Sequence, residues 1–198
     1  EFIDRAAKAM FVISDDIEIV LVNDCSKDDT ANKINEIIPK YPFVKLINLS
    51  RNSGQYISTS IALKNVTGDL IFMMDSDLQV APEYMVELYK KGEEVGVWDI
   101  ISANRMQRSN SLMRRGGSYF ISILLQKMGN NKLKDFGSSF KLLTRNTLEN
   151  VLSHDILIQN YPILMSNLNL RIIEHDIEYN NKQERGSHYN YKDLVFAL

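Results

Sequence analysis

Three short apolar runs, Ile17–Val22, Val44–Leu49 and Leu70–Met74, are separated by two stretches with helical spacing, all within the first half of the chain. Strand-like runs that alternate with helices over short connections leave few options. The strands lie parallel, the helices make right-handed crossovers, and the runs are covered on both faces, which is a Rossmann-like α/β layout. In sheets of this kind a ligand sits outside the carboxyl ends of the strands. Asp24, Arg51 and Asp75 all fall at those ends.

The third run is the most informative because it leads directly into Asp75-Ser76-Asp77-Leu78-Gln79. Alternate side chains on an extended segment point to one side, so Asp75, Asp77 and Gln79 converge on one point. Three hard oxygen ligands suit Mg2+ or Mn2+, which keep part of their shell for water and for phosphate oxygens. A polar turn, with Asp75 or Asp77 capping a helix that starts near Pro82, is the plainer reading. Asp24 is likewise a nucleobase acceptor or a turn carboxylate, and Arg51 a phosphate or base contact or a surface arginine.

Around these motifs, Glu1–Phe11 has helical spacing, and Ser26 with Asp29 has the form of a capping box that starts a helix running to about Ile38. Helical patterns follow at Pro82–Val95, Ser111–Met128, Arg145–Leu152 and Ile156–Leu168, with strands at Asp99–Ala103, Phe136–Leu143 and Arg171–Tyr179. Arg114 and Arg115 beside the apolar face of 111–128 suit a membrane surface or an ordinary core-facing helix.

Composition narrows the function. A length of 198 residues fits one domain, and a net charge of −2 with 24% charged residues excludes the broad basic excess of a nucleic-acid binder. The single cysteine, Cys25, rules out an internal disulfide framework. No apolar run is long enough to span a bilayer. His154, His175 and His188 show no metal-ligand spacing, and no P-loop, G-x-G-x-x-G or G-x-S-x-G is present.

Motif by motif, the chain resembles the inverting glycosyltransferases of family 2, which have the GT-A fold. Val22-Asn23-Asp24-Cys25-Ser26 is similar to their V-D-D-G-S turn, Ser50-Arg51-Asn52-Ser53-Gly54 to S-R-N-x-G, and Met74–Gln79 to M-D-A-D-L-Q. The D-x-D-L-Q form resembles the branch of dolichol-phosphate mannosyltransferase and the undecaprenyl-phosphate glycosyltransferases. Phe136–Leu143 is similar to that branch's glycine turn and F-R-L-L segment, and Arg185–Tyr189 with Lys192–Leu194 loosely resembles its tail. Asn23 and Cys25 depart from the pattern, as does His188 where lysine is usual.

The resemblance implies a single GT-A catalytic domain over 1–198 whose first strand is missing from the sequence, with both ends cut short and a membrane-proximal segment at 180–198. It implies transfer of a sugar from a nucleotide diphosphate sugar (UDP- or GDP-linked) to a polyprenyl phosphate on the cytoplasmic side of a membrane. Asp77 and Gln79, with Asp75 nearby, would hold Mg2+ or Mn2+, and Asp75, Asp77 and Arg105 would carry the chemistry. Asp24, Arg51 and Asp75, together with Arg108, Lys182, Arg185 and Ser187, would bind donor and acceptor. An anionic phosphate acceptor needs no general base, and no acidic pair stands near Met165-Ser166, which favours it over a sugar hydroxyl. Transfer to a hydroxyl in cell-surface polysaccharide and a non-catalytic nucleotide-sugar-binding homologue are the alternatives. A homo-oligomer is compatible with either, and nucleic acid is not an expected partner.

Overall fold

The computed structural model describes residues 1–106, 135, 138–154, 168 and 170–178. The first half follows the expected alternation: α1 (Phe2–Phe11), β1 (Ile19–Asn23), α2 (Thr30–Ile37), β2 (Val44–Asn48), α3 (Gln55–Asn65), β3 (Leu70–Met73) and α4 (Tyr84–Val95). Then come β4 (Ile100–Met106), β5 (Lys141–Thr144), α5 (Arg145–Ser153) and β6 (Ile172–Glu178).

β1 and β2 pair in parallel from Ile19↔Val44 to Asn23↔Asn48. The other four strands form a second ladder in the order β3-β5-β4-β6. Within it β5 runs antiparallel to both β3 and β4, while β4 and β6 are parallel. β3, β4 and β6 therefore point the same way and a single strand opposes them. That reversal brings the amino-terminal end of β5 to the edge where β3 and β4 end.

Successive side chains on these strands serve opposite faces, as the pleat requires. Ile101, Ala103 and Leu142 join Ile3, Ala6, Met85 and Leu88 in one buried cluster, which also takes in Ile19 of β1 and Val44 of β2. Ile71, Met73, Ile100 and Leu143 meet Leu63 of α3 and Leu148 and Val151 of α5 in the other. The result is a helix–sheet–helix sandwich whose two cores share the central strands.

Local chemistry fixes the ends of the elements. Thr144 caps α5, its hydroxyl accepting from the Thr147 N–H at 3.2 Å. Arg145 reaches back to the carbonyls of Val66 and Gly68 and so ties α5 to the turn before β3. The capping box expected at Ser26 does not form. The Ser26 N–H donates instead to Asn23 Oδ1 at 3.1 Å, and α2 starts four residues later at Thr30, whose N–H is held by Asp28. Neither Asp75 nor Asp77 caps α4, which has Glu83 at its N-cap. Helical patterns expected at Ser111–Met128 and Ile156–Leu168 lie outside the described residues.

Candidate functional site

The carboxyl edge is built first from the β1 and β2 turns. Asp24, just past β1, accepts from the Ser53 N–H at 2.7 Å through one carboxylate oxygen and from the Gly54 N–H at 2.8 Å through the other. One side chain thus clamps the turn that follows β2. Gly54 stands at φ +86°, a conformation that only a residue without Cβ adopts freely, and it opens α3. Cys25 is also left-handed, at φ +57°, which explains why glycine suits that place in the V-D-D-G-S pattern. Asn23 is buried, and its amide donates to Asn48 Oδ1 at 2.9 Å across the β1–β2 ladder. A carboxylate there would lack that donor. Arg51 is exposed in the same turn.

One residue beyond Gly54, Gln55 turns the network toward β3. Its Nε2 donates to Asp75 Oδ1 at 2.9 Å, and Ser139 Oγ donates to Asp75 Oδ2 at 2.7 Å. Both supports are neutral donors, so Asp75 stays an acceptor with a lone pair on each oxygen to spare. Asp77 Oδ1 accepts from the Gln79 N–H at 3.0 Å, and Leu78 between them sits at φ +60°. A leucine in the left-handed region carries strain of about 1 kcal/mol or more, and it turns the chain so that Asp77 and Gln79 face the same space as Asp75. Asp75, Asp77, Gln79, Arg105, Ser139 and Phe140 line one open pocket.

Arg105, which lines that pocket, belongs to a charged network. Arg105 forms a two-pronged ion pair with Asp135, at 2.7 Å and 3.0 Å, with only 10% and 14% of the two side chains exposed. The Asp135 N–H in turn donates to Glu174 Oε1 at 3.0 Å. Lys141 is buried and donates to the Ser138 carbonyl. Burial pulls its ammonium down to about 8 with Arg105 adding to the effect, while Asp135, Glu174 and Asp75 oppose it.

Among the described residues no group of three or more histidine, cysteine, aspartate or glutamate side chains is placed to hold a metal ion. Two carboxylates and the Gln79 amide, all hard oxygen donors on one pocket wall, fit Mg2+ or Mn2+ only as a partial set that a ligand's phosphate oxygens would complete. The edge as a whole therefore suits an anionic, phosphate-bearing ligand brought in with a cation.

Comparison with known proteins decides the family, because the model of "Glycosyl transferase family 2" matches residues 1–152. The chain belongs to glycosyl transferase family 2. Among curated relatives it is 28% identical over 196 residues to an undecaprenyl-phosphate 4-deoxy-4-formamido-L-arabinose transferase of Klebsiella pneumoniae (strain 342), covering 98% of this chain and 59% of that protein. A protein of the same description from Photorhabdus laumondii is 27% identical over 195 residues, with the same coverage. The chain thus spans about three-fifths of the length of these relatives. Among solved structures, a mannosyltransferase of Pyrobaculum calidifontis in complex with GDP-Man and Mn2+ superposes with a TM-score of 0.56 at 16% identity, covering 93% of this chain and 54% of the other. Glucosyl-3-phosphoglycerate synthase of Mycobacterium tuberculosis, in complex with Mn2+, UDP-glucose and phosphoglyceric acid, gives 0.57 at 14% identity over 98% of this chain and 69% of the other. At these identities the likeness establishes the GT-A fold.

Of the residues singled out in the sequence, Asp75, Asp77, Gln79 and Arg105 come together in the pocket. Asp24 and Arg51 lie on the neighbouring turns, joined to it through Gly54 and Gln55. Arg108, Lys182, Arg185 and Ser187 lie outside the described residues, as does the 180–198 segment. Gln55, Asp135, Ser139 and Lys141 escaped the sequence reading. A lysine inside the apolar run Phe140–Leu143 was the one visible signal.

Proposed function

We propose that this chain is the catalytic domain of a metal-dependent inverting glycosyltransferase that moves a sugar from a nucleotide diphosphate sugar to a polyprenyl phosphate at the cytoplasmic face of a membrane. The observation that carries the reading is the gathering of Asp75, Asp77, Gln79 and Arg105 around one pocket at the carboxyl edge of the strands. Two solved neighbours were captured with Mn2+ and a nucleotide sugar, and the curated relatives are named for undecaprenyl phosphate, which supports both donor class and acceptor class.

In this reading Asp77, Gln79 and Asp75 would hold Mg2+ or Mn2+, and the bound cation would supply positive charge to offset the charge of the leaving diphosphate. Gln55 and Ser139 each donate to one Asp75 oxygen and hold the carboxylate turned into the pocket. Asp24 shapes the turn over which the nucleoside lies, and Arg51 offers a cation beside it. Arg105, its fork fixed by Asp135, presents a cation at the pocket, and Arg108, Lys182, Arg185 and Ser187 contribute to the acceptor phosphate. No general base is assigned, because the acceptor is itself an anion. Among the described residues no helix is long and apolar enough to cross a membrane.

The test supplies the full-length protein with radiolabelled UDP- and GDP-sugars, Mn2+ and undecaprenyl phosphate in detergent micelles. Label entering the organic phase from one donor is the expected result. Label appearing only on an added polysaccharide would move the assignment to the hydroxyl-acceptor members of the family, and no turnover of any donor would favour a binding homologue.

A further inference from the structure

Asp75 depends on a turn whose own support is buried. β5 lies between β3 and β4, and its first residue, Lys141, sits opposite Met73 on one side and Ser102 on the other. Its neighbours Phe140, Leu142 and Leu143 are at most 1% exposed. An ammonium in such a place is costly unless it is compensated, and an apolar residue would serve the core better. What Lys141 does there is donate to the Ser138 carbonyl, in a setting where Asp135, Glu174 and Asp75 supply the opposing charge. The Ser138 hydroxyl is buried without a hydrogen-bond partner, so the turn is held through its backbone, the Ser138 N–H donating to the Asp135 carbonyl at 3.4 Å and the Ser138 carbonyl accepting from Lys141. The next residue is Ser139, whose hydroxyl meets Asp75 Oδ2 at 2.7 Å. Backbone held by Lys141 thus delivers the hydroxyl that orients the carboxylate.

We infer that Ser139, fixed in place by Lys141, is a positioning residue for Asp75 and sets the affinity of the pocket for its divalent cation. The inference rests on the reading of Asp75, Asp77 and Gln79 as cation ligands. Hydrogen-bond partners that hold metal ligands typically change metal affinity by about 10- to 100-fold when removed. Ser139 is only half-buried and its hydroxyl sits on a turn, so its loss is tolerable to the fold.

Mn2+ is titrated into the full-length protein, alone and with UDP or GDP present, with free Mn2+ followed by its paramagnetic resonance signal. Wild type is compared with Ser139→Ala, Ser139→Thr, Lys141→Gln and the Ser139→Ala/Lys141→Gln pair. The expected pattern is roughly tenfold weaker binding for Ser139→Ala with an unchanged melting temperature, and binding within about twofold of wild type for Ser139→Thr, which keeps the hydroxyl. Lys141→Gln weakens binding too, and the double variant is no worse than Ser139→Ala, because one residue acts through the other. Wild-type affinity in Ser139→Ala, or losses in the double variant that multiply, overturns the inference while leaving the cation site intact. A wild-type protein that takes up no Mn2+, either alone or with UDP or GDP present, overturns the site reading and the inference together.

Discussion

Replacing Asp24 by asparagine tests whether the first strand's carboxylate is structural. Each oxygen accepts one backbone N–H, from Ser53 at 2.7 Å and from Gly54 at 2.8 Å. Hydrogen bonds to a charged group are worth about 1.5–3 kcal/mol each, so removing both would cost about 3–6 kcal/mol. The amide keeps one acceptor, turns an NH2 toward the second N–H, and sits half-exposed where water makes up part of the loss. About 2 kcal/mol remains. For a chain of 198 residues that lowers the melting temperature by about 4–8 °C. Thermal unfolding followed by circular dichroism reads it, with nucleotide affinity measured on the same variant. A melting temperature within about 1 °C of wild type, with nucleotide binding lost, would refute the clamp and make Asp24 a ligand contact only.

Three further outcomes follow from the geometry. Burial raises the Glu18 carboxyl, but the N–H groups of Thr67 and Gly68, the Lys45 ammonium and the Thr67 hydroxyl outweigh it and bring it down from 4.5 to about 2. Since the folded value is the lower one, its stabilisation is full above about pH 4.5 and fades as the pH falls toward 2. With 17% of the side chain exposed and solvent screening allowed for, Glu18→Gln costs about 2 kcal/mol in urea unfolding at pH 7 and little at pH 2.5, and a pH-independent difference would contradict this. Gly92→Ala places a Cβ 2.8 Å from the Trp98 indole, so the ring must shift, and the gain in helix propensity leaves a net loss of about 1–2 kcal/mol by urea midpoint. Cys25→Gly relieves a left-handed residue worth roughly 1 kcal/mol and is offset by glycine's extra chain entropy, so stability rises by about 0.5 kcal/mol or less, and a loss above about 1 kcal/mol would count against the strained turn.

Much of the edge was legible because it is made of local signals. An apolar run that ends in Asp75-Ser76-Asp77 carries both its strand and its acids in one stretch, but β3 stops at Met73 and the left-handed turn at Leu78, rather than the expected strand pleat, gathers the acids. The alternation from β1 to α4 likewise follows from periodicity and short connections. What stayed hidden depends on the direction of β5. Alternating strands and helices imply parallel neighbours, and only the reversed β5 brings Ser139 and Lys141 to the carboxyl ends of β3 and β4. The Arg105–Asp135 pair joins residues 30 apart and has no sequence pattern of its own. At Asp24 the sequence left ligand and turn both open, and the clamp on Ser53 and Gly54 came from the path of the second turn, which no spacing rule specifies. Ser26 is not a cap because α2 begins only at Thr30, with Asp29 at its N-cap, and the Ser26 N–H that a capping box would give to Asp29 goes to Asn23.

The central claim is that Asp75, Asp77 and Gln79 form a cation-assisted nucleotide site. Isothermal titration of the full-length protein with UDP and with GDP, each with and without Mn2+, on wild type and Asp77→Ala, tests it most directly. The account predicts that one nucleotide binds only with Mn2+ present and that Asp77→Ala abolishes this binding. Binding that is equal with and without Mn2+, or unchanged in Asp77→Ala, would contradict it.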